Sequence, residues 1–150
     1  MVTLYEALSM ASYQRVVYTA LRVIAPFIIM QHGAQKLLGL LGGVGPQHGS
    51  APLASLMGVA GIVEFVIASL VLVGLFTRPA AFIVSGEMAT AYFKVHTPRG
   101  FWTVQNQGEL AVMLCFTFLL FAAFGGGKYS LDALFFGARH KQGADALHLV

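Results

Sequence analysis

The chain has 150 residues, 57% of them hydrophobic and 10% charged, with a formal net charge of +3. Soluble domains have about a quarter of their residues charged, so this composition (mean hydropathy +0.76) excludes an ordinary water-soluble domain and makes the lipid bilayer the expected solvent. A single cysteine, Cys115, excludes an internal disulfide or two-thiol relay, and the scattered Lys and Arg argue against a nucleic-acid partner.

In chain order, the first apolar run covers residues 16–41. It starts too late and runs too long for a cleaved leader, so it reads as a first span. A Gly- and Pro-rich loop, GGVGPQHGSAP over 42–52, separates it from a second run at 53–76. Thr77-Arg78-Pro79 forms a tight turn, and Pro79 can open the third helix, where its missing N–H is not needed. The third span is predicted over 79–97 and the fourth over 104–124, stopped by Gly125-Gly126-Gly127. A tail over 125–150 carries the amphipathic piece YSLDALFFG.

A helix needs about 20 residues to cross a hydrocarbon core about 30 Å thick, and the alternating ten-residue pattern of a barrel is missing. The predicted fold is therefore all-α: a four-helix transmembrane bundle forming a single integral membrane domain. Arg15, Arg78, Lys128, Arg139 and Lys141 fall on one side, against Arg99 with Lys36 and Lys94 near helix ends on the other. The positive-inside rule then predicts a multi-pass plasma-membrane protein with both termini cytoplasmic.

Six ionisable residues lie within or at the lip of these spans: Arg22, Lys36, Lys94, Glu64, Glu87 and Glu109. Each costs about 2.5–3.5 kcal/mol to insert, so such groups face the bundle and find partners. At 1.5 Å per residue, Glu64 and Glu87 lie near the midplane and Arg22 about 9 Å to the cytoplasmic side, while His32, Lys36, Lys94 and Glu109 lie about 6–12 Å outward. Two layers are expected: Glu109 with Lys36 or Lys94, and Arg22 with Glu64 or Glu87. Gly33 and Lys36 lie within about 40° of Arg22, on one face of the first helix. The small residues Gly61 and Ala68 flank Glu64, and Ala91 separates Glu87 from Lys94; small neighbours let helices approach closely. The three acids are candidate proton carriers. Arg22, His32, Lys36 and Lys94 are candidate substrate-binding groups, with Trp102 a lid or an interfacial anchor. His32 with His96 makes half of a metal site, no third ligand is evident, and no metal is predicted.

These residues also form a pattern. Arg22 with 32-HGAQKL-37, 64-EFVIASLVLVGLFTRPAA-81, 87-EMA-89, 100-GFW-102 leading into 106-NQGELA-111, and 125-GGGKYSLD-132 resemble the DoxX family of small four-span membrane proteins. The resemblance covers nearly all of residues 15–134. It departs at Ala68-Ser69, where the family often shows a glycine pair. It implies a membrane subunit linked to redox chemistry, as in thiosulfate:quinone oxidoreductase.

Three functions fit. The first is a quinone-linked oxidoreductase subunit, oxidising a small sulfur oxyanion such as thiosulfate, with quinone as cofactor. Having no flavin, haem or thiol-pair motif, such a chain would move electrons between bound substrates or receive them from a soluble or membrane redox partner. The second is a non-catalytic scaffold or assembly partner of a redox complex. The third is a small-solute or proton transporter, for which a homo-oligomer would complete the pathway.

Overall fold

The computed structural model describes residues 4–137, with side chains from Ser12 onward. Arg139, Lys141 and the rest of the tail lie outside the described residues. The first helix, α1 (Leu4–Leu38), gives way at Gly39, whose φ of 65° continues no right-handed helix. The 39–55 loop returns to it through a hydrogen bond from Ala51 N to the Lys36 carbonyl at 2.7 Å.

The second helix, α2 (Leu56–Val73), opens on Ser55, whose side chain accepts from Gly58 N at 3.1 Å. This satisfies one of the donors that a helix start leaves free. The helix stops at Gly74 with φ 73°. Midway, Val63–Ile67 form one wide i→i+5 turn containing Glu64; such turns recur at functional sites.

The third helix, α3, runs Thr77–Ala91 and continues through a second wide turn, Tyr92–His96. It starts two residues before Pro79 because Asp132, from the far end of the chain, accepts from Phe76 N at 2.7 Å and Thr77 N at 2.9 Å. Those bonds cap the helix before the proline is reached.

The span expected over 104–124 is broken. A short helix, α4 (Thr103–Asn106), is followed by Gln107 at φ 59°, and the long helix α5 (Glu109–Phe124) begins beyond it. The break is built by Asn106, fully buried, which donates to the Gly100 carbonyl at 2.7 Å and accepts from Gly108 N at 2.7 Å. A short helix over 131–137, α6, reaches the end of the described residues.

Among the described residues the fold is helical, with only an isolated Val44–Gly49 bridge. Helices α3 and α5 pack along each other, α1 packs along α2, and the two pairs join through Ala25, Ile29, Ala68, Val71, Ala81, Val84, Met88, Leu114, Phe118 and Phe121. Small residues set the spacing. A Cβ on Gly33 would lie 2.5 Å from Phe65 N and 2.8 Å from the Glu64 carbonyl carbon, so α1 and the wide turn of α2 touch backbone to backbone.

Outside this thin core the surface is oily. Phe82, Phe116 and Met113 are 65%, 65% and 67% exposed. Many other large apolar side chains are exposed as well, among them Val104, Phe124 and Leu134, whereas soluble monomers keep large apolar patches off their surface. Two helical stretches, Ser12–Leu38 and Leu56–Val73, are long and apolar enough to cross a membrane, while Glu109–Phe124 is apolar but shorter.

Candidate ligand-binding cavity

The two helix pairs do not close along their whole length. The Leu56–Ile62 half of α2 packs on α1 and makes no extensive contact with α3 or α5. The resulting gap is a cavity of about 750 Å³. Its walls are mainly apolar: Ile29, Leu56, Met57, Val59, Val63, Ile83, Met88, Leu110 and Leu114. Of these, Leu56, Met57, Val59, Ile83 and Leu110 are also exposed on the outer surface, so the rim of the cavity is apolar. A cavity of this size, with few polar groups on an oily wall, has the character of a small-molecule site.

The polar groups come from every side. Lys36, in the last turn of α1, extends its ammonium to Glu64 in the wide turn of α2, Nζ to Oε1 2.5 Å. Glu64 is buried and Lys36 partly so. Gly33 and Gly61 permit this meeting, because a Cβ on Gly61 would lie 3.0 Å from the Lys36 Cβ. Glu87 faces the same space from α3, as do His32 from α1, Lys94 and His96 from the second wide turn, and Gln107. His96 is oriented by its Nδ1 contact with the Asn106 carbonyl at 3.0 Å. The second oxygens of the two carboxyls, Glu64 Oε2 and Glu87 Oε2, are buried with no hydrogen-bond partner among the described residues.

Five of the eight candidate residues from the sequence thus meet at one cavity: His32, Lys36, Glu64, Glu87 and Lys94. Three do not. Arg22 joins neither Glu64 nor Glu87. It is buried and donates to the carbonyls of Val71 (2.8 Å), Leu72 (2.7 Å) and Tyr129 (2.7 Å). Its helix position points it at the C-terminal end of α2, where the carbonyls of the last turn supply the negative partial charge that a carboxylate was expected to bring.

Glu109 does not enter the bundle either. The Asn106-Gln107-Gly108 break makes it the first residue of α5, exposed, and no ion pair forms there among the described residues. Its charge sits against the free N–H groups of a helix start. Trp102 is 66% exposed and packs edge-on against Phe101, ring centroids 5.5 Å apart, outside the cavity wall. The two expected layers are also joined differently: the long lysine stem carries the outer Lys36 down to the deeper Glu64.

Asp132 went unnoticed in the sequence as a structural anchor, although it closes the 125-GGGKYSLD-132 pattern. Nothing local marks its role, since its partners Phe76 and Thr77 are 56 and 55 residues away. Among the described residues no three His, Cys, Asp or Glu side chains are grouped to hold a metal ion.

Together these features define a helical protein with an oily exterior and an internal ion pair beside an apolar cavity. The chain belongs to the DoxX family, whose family model matches residues 17–97. The matched stretch contains Arg22, His32, Lys36, Glu64, Glu87 and Lys94. A protein of Haemophilus influenzae described as uncharacterized is 40% identical over 119 residues, covering 77% of this chain and 88% of that one. No solved structure matches the chain.

Proposed function

We propose that this DoxX-family membrane protein crosses the plasma membrane four times, with both termini cytoplasmic, and serves as the membrane subunit of a quinone-linked redox system. The observation that carries this reading is the 750 Å³ cavity with an apolar rim, where Lys36, Glu64 and Glu87 converge. The residues fit a quinone. Glu64 and Glu87 line a mainly apolar cavity, and Lys36 beside them supplies a donor; an ammonium, or a carboxyl that carries its proton, can donate to a quinone oxygen, and the apolar walls suit a flat ring. The apolar rim would admit such a ligand sideways from the bilayer.

A bound quinone would accept two electrons and two protons. Leu56, Met57, Val59 and Ile83 would hold the ring and the start of its chain. Lys36, tethered by Glu64, would hydrogen-bond one ring oxygen, and Glu87 would exchange a proton with the other. Lys94 and His96 add positive and hydrogen-bonding character to the same cavity, where a small sulfur oxyanion such as thiosulfate could serve as electron donor; the other source is a redox partner. A photoreactive azidoquinone should label the peptides around Met57 and Ile83 in bilayer discs, and excess decylbenzoquinone should suppress that labelling. Labelling spread over the outer surface, unaffected by competitor, would sink the proposal.

One observation favours a second reading, a non-catalytic assembly partner. Leu134 and Phe135 of α6 are 70% and 58% exposed, a surface that another membrane subunit could cover. Redox activity of a host complex that survives Glu87→Gln but is lost on Phe135→Asp would support it.

A further inference from the structure

We infer a second site, at the other end of the bundle: a seat for the phosphate of an anionic phospholipid. It rests on the membrane setting of the chain and is independent of the quinone reading. Here α2 stops at Gly74, α3 starts at Thr77 and α5 stops at Gly125. Helices that span a bilayer end at the level of its headgroups. Between these ends lies a concavity of about 430 Å³, lined in part by Arg78, Phe124, Gly125, Ser130, Asp132 and Phe136. It shares no lining residue with the larger cavity.

Charge selects the ligand. Arg78 is exposed, and no carboxylate lies within ion-pair distance of it among the described residues. Lys128, exposed as well, directly follows the lining residue Gly127. The acid in the lining, Asp132, has both carboxylate oxygens committed to Phe76 N and Thr77 N, at a helix start whose dipole offsets its charge. The Ser130 hydroxyl is committed too, donating to the Gly127 carbonyl at 2.7 Å. The charged group left for a ligand in the lining is the Arg78 guanidinium. It is also held in place. A Cβ on Gly125 would lie 3.2 Å from Arg78 Nε, so the arginine side chain lies across the glycine. The φ of 79° at Gly125 favours a residue without a side chain there. A planar guanidinium can grip a phosphate through two parallel hydrogen bonds.

The surroundings call for a lipid phosphate. Phe124 and Phe136 are exposed at the concavity. Phe116, Leu120 and Phe124 recur every four residues along α5, all exposed, and Phe82 lies exposed one turn from Arg78 on α3. A phosphate at Arg78 therefore has an apolar lane beside it for acyl chains. Basic residues next to a membrane attract anionic lipids. A choline headgroup would bring its own cation against Arg78 and Lys128, whereas a glycerol headgroup brings none.

The test is native mass spectrometry of the full chain released from bilayer discs holding equal phosphatidylglycerol and phosphatidylcholine. The chain should retain phosphatidylglycerol at least about fivefold over phosphatidylcholine. Arg78→Gln should reduce that preference to within about twofold, and Arg78→Lys, which keeps the charge but not the fork, should also lower it. Arg99→Gln, an exposed base at the opposite end, should leave it unchanged. Each variant is first shown to melt at the temperature of the unaltered chain; if Arg78→Gln does not, Arg78→Lys carries the test. Millimolar inorganic phosphate should not displace the lipid. Equal retention of the two lipids, or of neither, by the unaltered chain would overturn the inference, the latter leaving this face to a protein partner. Losses as large on Arg99→Gln would reduce it to general surface attraction, and displacement by inorganic phosphate would show an anion seat that takes no account of the lipid; either result would overturn it.

Discussion

Lys36 and Glu64 meet at 2.5 Å across the α1–α2 interface, joining the last turn of one helix to a wide turn in the middle of the next. Neither partner is readily left alone. Removing one member of a buried pair strands a charge and costs about 3–5 kcal/mol, whereas replacing both with apolar groups of like volume is often neutral. Lys36→Met and Glu64→Leu should therefore each lower the unfolding temperature in detergent, and the double variant should recover at least about 1 kcal/mol relative to either. Simple additivity of the two losses would contradict the pairing.

Gly33 governs whether that pair can form. Its missing side chain leaves Phe65 N within 2.5 Å of where a Cβ would stand. Gly33→Ala should separate α1 from α2 and cost about 1–3 kcal/mol by overpacking. Gly86 is the control, since nothing lies within 4 Å of its virtual Cβ. Gly86→Ala should be neutral or stabilising by up to about 1 kcal/mol, from helix propensity. Equal destabilisation by both changes in thermal melts would refute the close-approach argument.

Arg22 and Asp132 fasten the opposite end of the molecule. Arg22 holds the end of α2 and the Tyr129 carbonyl, while Asp132 caps the start of α3 and its own N–H bonds the Gly74 carbonyl at 2.8 Å. Asp132→Ala should cost about 1–2 kcal/mol as a lost helix cap, with Asp132→Asn milder. Arg22→Lys cannot reproduce the fork that serves three carbonyls. Both Asp132→Ala and Arg22→Lys should speed tryptic cleavage after the exposed Lys128; unchanged cleavage kinetics would dismiss the fastening role.

Glu87 and Glu109 looked alike as sequence, yet only the first reaches the cavity. Competition by decylbenzoquinone against the photoprobe should weaken on Glu87→Leu by about tenfold, as the carboxyl that hydrogen-bonds a ring oxygen is lost. Glu109→Leu should change it by less than about twofold, the scale of an exposed charge. The reverse ranking would place the ligand elsewhere.

The sequence by itself determined the helical character, the apolar exterior and the shared face of α1. Arg22, Gly33 and Lys36 all turn toward α2, as a periodicity of 3.6 residues requires. It also singled out five of the residues that line the cavity, because charges in an oily chain are costly wherever they point.

Only the tertiary structure decided the partners. Arg22 found carbonyls in place of a carboxylate, because the end of a neighbouring helix offers negative partial charge that no residue letter records. Glu109 was kept outside by a hydrogen-bonded break around Asn106 that interrupts an otherwise continuous apolar run. The start of α3 was set by Asp132, more than fifty residues further along the chain. Periodicity fixes which way a side chain faces along its own helix. What it meets depends on where other helices begin, widen and end, and those are properties of the assembled chain.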